Sequence, residues 1–431
     1  MHKTGLLLLL LLSAAFTLPV FSCSLYKITA GGKTILGNNE DSWGRDAIIW
    51  FEQGTREKYG MACFGYEQKK PNPDGAINEH GLAFDAFTMP HRPGIPERNP
   101  RKQNFSYAQL RTIMQRCKTV EEVYAFLYKE NLQSLNGSIL FSGGMLLFAD
   151  RSGKYLVVEA GKMTFGNQNT FVLANFNVAE TKDLKSVKME RFQKGLSFLR
   201  NKTTETTLEF CTALSDTMSV SRARIGDGTL YTNILDLETG LIHLYFFHDY
   251  RNRKTFDLRK ELSKGDHSYR LCDLFPGNKG YEKFLNHQTP HNNRLLFGFL
   301  VFSAAVFLFS SLFFLLDFFR KLRSGPPKLS LFPGLLSGSF SLFCLLLLWN
   351  ESIFYFPSPY QDPHSMLITA SSRIPLLLLL SFLPISALVL REFRRKAWRP
   401  MARNLLGLHQ FCCLVLLGLF FYWGLFDFLL K

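Results

Sequence analysis

No two cysteines in the 431-residue chain are spaced C-x-x-C, and no cluster of His, Cys, Asp or Glu stands at metal-ligand spacing. Zinc ribbons and similar sites are thereby excluded, and neither a metal nor another cofactor is implied. The strands do not alternate strictly with helices, so a parallel βαβ sheet is not expected. Acidic residues are nearly missing from two short basic loops: "RKLRSGPPK" (Arg320–Lys328) has none, and "REFRRKAWRPMAR" (Arg391–Arg403) has only Glu392.

Those two loops hold four and six basic residues, a good part of the formal charge of +15. They separate four apolar runs, Leu295–Phe319, Leu329–Trp349, Ile374–Leu390 and Leu405–Leu430. Each run is near the roughly 20 residues that a helix needs to cross a hydrocarbon core. The third carries Pro375 and Pro384, which membrane helices tolerate. Basic loops stay cytoplasmic, so the loop Asn350–Arg373 and everything before Leu295 are expected outside. The charge thus reads as topology, and no nucleic-acid partner is expected. Ionisable residues are scarce in the runs: Asp317 and Asp427 lie near ends, and His409 is alone near a start. An ion or substrate path would show more of them.

The first residues agree with export. Met1–Lys3 is a short basic region, Leu6–Leu12 with Ala14–Phe16 an apolar core, and Val20 and Ser22 suit a cut before Cys23. The expected organisation is a signal peptide over 1–22, an exported domain over 23–290, and membrane helices over 295–319, 329–349, 374–390 and 405–430. Cys63, Cys117, Cys211 and Cys272 lie in the exported part, paired or simply buried. Cys344, Cys412 and Cys413 lie in the apolar runs, where packing accounts for them.

The exported part reads as strands, helices, strands, helices, strands. "CSLYKIT–AGGK–TILGNN" and "GTLYTNILDLETGLIHLYFF" are hairpins, and "GAINEHGLAFDAF" is two short strands about a turn. "SYAQLRTIMQRC", "TVEEVYAFLYKE", "VKMERFQKGLSFLR" and "TLEFCTALSDTM" have helical periodicity, the second opening with Thr119 and Glu122 in capping-box spacing. The fold class is α+β, antiparallel sheets packed with helices, followed by the four spans.

A cut before Cys23 places a thiol beside a free α-amine, whose pKa near 8 makes it a proton acceptor at neutrality. One residue then supplies nucleophile and base for acyl transfer. Around it stand "GNNED" (Gly37–Asp41), "DGAINEHGLA" (Asp74–Ala83), "FADRSGKYLVVE" (Phe148–Glu159), "FVLANF" (Phe171–Phe176) and "TLYTNILDLETGLIHLYFF". In that order they resemble the choloylglycine hydrolases, a group of N-terminal-nucleophile (Ntn) hydrolases that includes bile salt hydrolases and penicillin V acylases, with acid ceramidase more distantly similar. The resemblance covers Cys23–Tyr250 and implies a four-layer αββα fold.

It implies Cys23 as nucleophile and base, Asp41 as the residue that holds the amine, and Asn175 as oxyanion donor. Arg222 or Arg224 fills the place of the family's arginine, with Arg222 preferred, and Asn39 and Thr88 are assigned to substrate binding. Two departures stand out: Asn38 replaces an arginine, and Thr88 replaces an asparagine that bile salt hydrolases tend to have. The implied activity is hydrolysis of a linear carbon–nitrogen amide in an N-acylated small molecule or lipid amide, at the outer side of a membrane whose lipid is the other partner. "VFSC" also approximates a lipobox, so the alternative is a lipoprotein or membrane sensor with an inactive Ntn-like ligand-binding domain. Oligomeric state is left open.

Overall fold

The computed structural model describes residues 23–89, 94–95, 97–137, 143–222, 224–322, 331–355, 358–360, 366–395 and 400–429. The expected signal peptide, 1–22, lies outside them. The described residues form two compact units that divide between Asn286 and His287, a little before the expected boundary at 290.

The first unit is mixed α/β. Its strands are β1 (Ser24–Ala30), β2 (Lys33–Ser42), β3 (Ala47–Glu52), β4 (Met61–Tyr66), β5 (Gly75–Asn78), β6 (Ala83–Met89), β7 (Gln103–Asn104) and β8 (Glu130–Asn131). They continue with β9 (Gly143–Ala149), β10 (Tyr155–Glu159), β11 (Lys162–Gly166), β12 (Thr170–Ala174), β13 (Gly228–Asp236), β14 (Leu241–Phe246), β15 (Asp249–Asp257) and β16 (His267–Arg270). Among the described residues they make a six-stranded sheet, β12-β1-β2-β13-β14-β15, an eight-stranded sheet, β11-β10-β9-β6-β5-β4-β3-β16, and the small pair β7-β8.

Hairpins build both sheets because glycine supplies the positive φ their turns need, as at Gly31 and Gly32 (φ +59° and +77°) between β1 and β2. The principal helices are α1 (Ala108–Arg116), α2 (Val120–Leu127), α3 (Glu190–Asn201) and α4 (Leu208–Met218). Thr119 caps α2 as its sequence predicts, its hydroxyl accepting from Glu122 N at 3.3 Å. The Glu122 carboxylate, however, reaches back to Lys118 N at 2.6 Å, one residue before the cap.

Each sheet packs helices on one face. Leu110, Ile113 and Met114 of α1 and Val120, Val123 and Leu127 of α2 share a core with Ile48, Phe84 and Leu146 of the eight-stranded sheet. Phe192 of α3 and Cys211, Leu214 and Met218 of α4 share another with Tyr26, Ile28 and Ile35 of the six-stranded sheet. Full burial of side chains of this size contributes about 1.5–3 kcal/mol each. Contacts also join the two sheets. Phe64 of β4 stacks on Tyr231 of β13 at 6.5 Å between centroids, and Lys27 of β1 donates to Gly153 O, between β9 and β10, at 2.6 Å.

Strand period then sorts β2. Ile35 belongs to the helix-side core, so Gly37, Asn39 and Asp41 share that side, while Leu36, Asn38 and Glu40 face the other sheet.

The second unit, with α5 (Arg294–Leu322), α6 (Leu331–Trp349), α7 (Ile374–Arg395) and α8 (Pro400–Tyr422), has four stretches long and apolar enough to cross a membrane, the third, Leu367–Arg391, beginning in a short helix (Met366–Ser371) ahead of α7. The apolar run ending at Leu430 is longer than its helix: the chain turns at Gly424 (φ +71°), and Asp427–Leu429 is a separate 3-10 turn. Ser311 Oγ donates to Gly334 O at 2.8 Å and Ser341 Oγ to Ala304 O at 2.9 Å, joining α5 to α6 through small residues. His409, isolated in the sequence, lies 3.1 Å from Ser337 Oγ and against the ring of Phe307.

Candidate active site

Register explains what surrounds Cys23. Ser24 pairs with Asn39 on one side and Ala174 on the other, so the preceding residue stands level with Glu40 and Asn175. The Cys23 thiol donates to Glu40 Oε2 at 3.0 Å, and both residues are only 8% exposed. Burial, then the charge of Glu40, pushes the thiol well above its ordinary range. Burial, with repulsion from Asp74, lifts Glu40 to about 7, while the thiol's hydrogen bond opposes the rise. The pair therefore rests as a neutral thiol beside a carboxyl that changes charge near neutrality.

Gly37 makes this end of β2 possible. A Cβ there would come within 2.1 Å of the Tyr26 ring, which crosses the strand so that its hydroxyl can donate to Cys211 O at 2.8 Å. The first residue of "GNNED" is thus a packing requirement that ties the strand to α4.

Asp41 ends the same strand. Thr229, its partner across β13, donates to Asp41 Oδ1 at 2.6 Å, and Arg191 of α3 lies 3.9 Å from Oδ2. Burial raises Asp41 to about 6, against the opposing pull of Arg191 and Thr229. Arg191, 4% exposed, also donates from Nη2 to Asn175 Oδ1 at 3.1 Å. Asn175 Nδ2 in turn donates to Thr88 O at 2.7 Å. An amide nitrogen carries two hydrogens, so one of those on Nδ2 remains for a further acceptor.

Cys23, Asp41 and Asn175 are therefore brought together, with Arg191 bridging the last two. Arg222 pairs with Asp227 at 3.3 Å, and its charge also helps to hold Asp41 down. Asn39 points to the helix side: Nδ2 donates to Ser215 O at 2.8 Å, and Oδ1 accepts from the Thr232 hydroxyl at 2.7 Å. The side chain of Thr88 is exposed, and its backbone oxygen is the part that meets Asn175.

Three members of the site went unread in the sequence. Glu40 occupies the variable place of its motif, yet strand alternation and pairing alone put it level with Cys23. Thr229 opens the closing hairpin, where its partner across the ladder is the signal. Arg191 sits beside Phe192 on the buried stripe of an otherwise ordinary amphipathic helix, and its role shows only in the packed structure.

Among solved structures the chain is similar to two variants of conjugated bile acid hydrolase from Clostridium perfringens, each at 17% identity, covering 60% of this chain and 99% of that one, with TM-scores of 0.45 and 0.46. It is also similar to penicillin V acylase from Agrobacterium tumefaciens, at 15% identity over 60% of this chain and 98% of that one, TM-score 0.42. No family model and no curated protein matches the chain.

Proposed function

We propose that the first unit is an Ntn amidohydrolase of four-layer αββα build, with Cys23 as its first residue after removal of a signal peptide. The observation that carries this reading is the hydrogen bond of the Cys23 thiol to Glu40, with the charge of Asp41 near it and Asn175 level with it across β12, at one end of β1, β2 and β12. Removal of 1–22 frees an α-amine at the thiol. The amine takes the thiol proton, the thiolate attacks the amide carbonyl, and the free hydrogen on Asn175 Nδ2 receives the oxyanion. The ammonium returns its proton to the leaving nitrogen, which departs as the amine product. Water, deprotonated by the same amine, then releases the acyl group from sulfur.

Asp41, ionised above about 6, holds the ammonium, and Arg191 keeps Asp41 and Asn175 in place. Arg222 supports Asp41 from beyond it. Before cleavage Glu40 holds the thiol hydrogen; afterwards it is the carboxylate nearest the reacting carbonyl. The substrate is an N-acylated small molecule or lipid amide, and the four helices anchor the enzyme with the first unit on the extracytoplasmic side.

Incubating membrane-extracted protein with N-acyl amides and following amine release tests the reading. Turnover by the wild type and none by Cys23→Ser supports it; full turnover by Cys23→Ser removes Cys23 as nucleophile.

A further inference from the structure

Between the two sheets, polar atoms converge without partners among the described residues. Asn38, 1% exposed, stands two residues before Glu40 on the same face of β2, and neither end of its amide has a hydrogen-bond partner. Asn233 pairs with it across β13 and has an equally unpartnered amide. From the opposite sheet comes Asp85 of β6. Its neighbour Phe84 belongs to the helix-side core, so Asp85 faces inward; it is 4% exposed, and its Oδ1 has no partner. The residue paired with it on β5 is Gly75, which has no side chain to offer.

Buried polar atoms in folded proteins almost always have partners, and each one left without is costly. An unsatisfied set next to a nucleophile is a place for a ligand. Its sign follows from the charges. Glu40 and Asp85 repel each other, and Asp74 adds to both, although Lys69 covers Asp74 at 3.2 Å. Among the described residues no such group is arranged to hold a metal ion. The chemistry that remains is an organic cation with several N–H donors, which would favour the charged form of carboxyls that burial pushes toward the neutral one.

We propose that Glu40 and Asp85, with Asp74 behind them, receive a protonated amine carried by the substrate. This rests on the reading of Cys23 as the nucleophile. Since Glu40 Oε2 is 3.0 Å from the sulfur, an ammonium bound to it lies within roughly four bonds of a carbonyl in attacking distance. The substrate class is therefore an amide whose acyl or amine part bears an ammonium close to the scissile bond, such as an aminoacyl amide. The Asn38 and Asn233 amides accept its remaining hydrogens.

Two measurements on the full-length protein in detergent separate this subsite from the hydrolase reading. The first follows modification of Cys23, by peptide mass, with a methanethiosulfonate bearing a primary ammonium and with one bearing sulfonate; half-exposed Cys272 is the internal reference. At about pH 8 the cationic reagent is expected to be favoured at Cys23 by about tenfold relative to Cys272, and Asp85→Asn or Asp74→Asn to lower that preference about threefold or more. A preference within about twofold of that at Cys272, or one unchanged in both variants, overturns the subsite.

The second compares turnover of an aminoacyl amide with its deaminated isostere, which is expected to be poorer in kcat/KM by about tenfold or more. Equal turnover that Cys23→Ser abolishes overturns the subsite and leaves the hydrolase standing. Turnover surviving Cys23→Ser removes Cys23 as the nucleophile, and the labelling preference then decides the subsite alone.

Discussion

The two sides of β2 treat polar residues differently. Toward the helices, Asn39 and Asp41 are bonded to Ser215, Thr232 and Thr229, with Arg191 close by. Toward the other sheet, among the described residues, Asn38 has no partner and Glu40 has only the thiol. Within one short motif the helix side is the better bonded, Asp41 Oδ2 alone lacking a hydrogen bond there among the described residues, and on our proposal the other side awaits a reactant. Partner accounting distinguishes a residue that holds the site from one that uses it, where residue type alone does not.

The largest effect expected on the reactive side is loss of amide hydrolysis in Cys23→Ser, at least about a thousandfold in kcat/KM with the fold intact by circular dichroism. On the scaffold side, Arg191→Met leaves Asp41 buried without its cation and Asn175 Oδ1 without its donor. A loss of about 3–5 kcal/mol in denaturant unfolding is expected.

Glu40 yields the opposite sign. Burial raises it from 4.5 to about 7, so between those values the folded chain holds a proton that the unfolded chain has lost. That contribution is complete below about pH 4.5 and is lost as pH rises through about 7. Glu40→Gln removes the loss and is expected to be more stable than wild type at about pH 8, by as much as about 3 kcal/mol, with the two converging in acid. An unchanged pH profile would show that Glu40 does not titrate in this range.

The smallest effects sharpen the comparison most. Asn39→Leu strands the Ser215 carbonyl and the Thr232 hydroxyl, and is expected to cost about 1–3 kcal/mol. Asn38→Leu removes an amide with no partners, so thermal melting should show no loss of stability or a gain. Equal losses in both would erase the difference between the faces.

Much of this was legible in the sequence. The hairpins β1–β2, β5–β6 and β13–β14 carry glycine where φ must be positive, and α1 to α4 carry helical periodicity, α2 with its threonine cap at Thr119. Cys23, Asp41 and Asn175 stand at strand ends within recognisable motifs. β3 was harder to see: "AIIWFE" is buried on both faces and so lacks the alternation that marks a half-exposed strand. Glu40 required the register, and Arg191 the packing of a distant helix. The length of the last apolar run hid the turn at Gly424, because hydropathy continues through it while the helix does not.

The central claim, that processing makes Cys23 both first residue and nucleophile, is tested most directly by trapping the acylated enzyme. Membrane-extracted protein is mixed with an amide that it turns over, quenched in acid, and analysed by intact mass and peptide mapping. The account predicts a chain beginning at Cys23 with the acyl group on its sulfur. A diacylglycerol on Cys23, a chain that starts elsewhere, or an acyl group on another residue would contradict it.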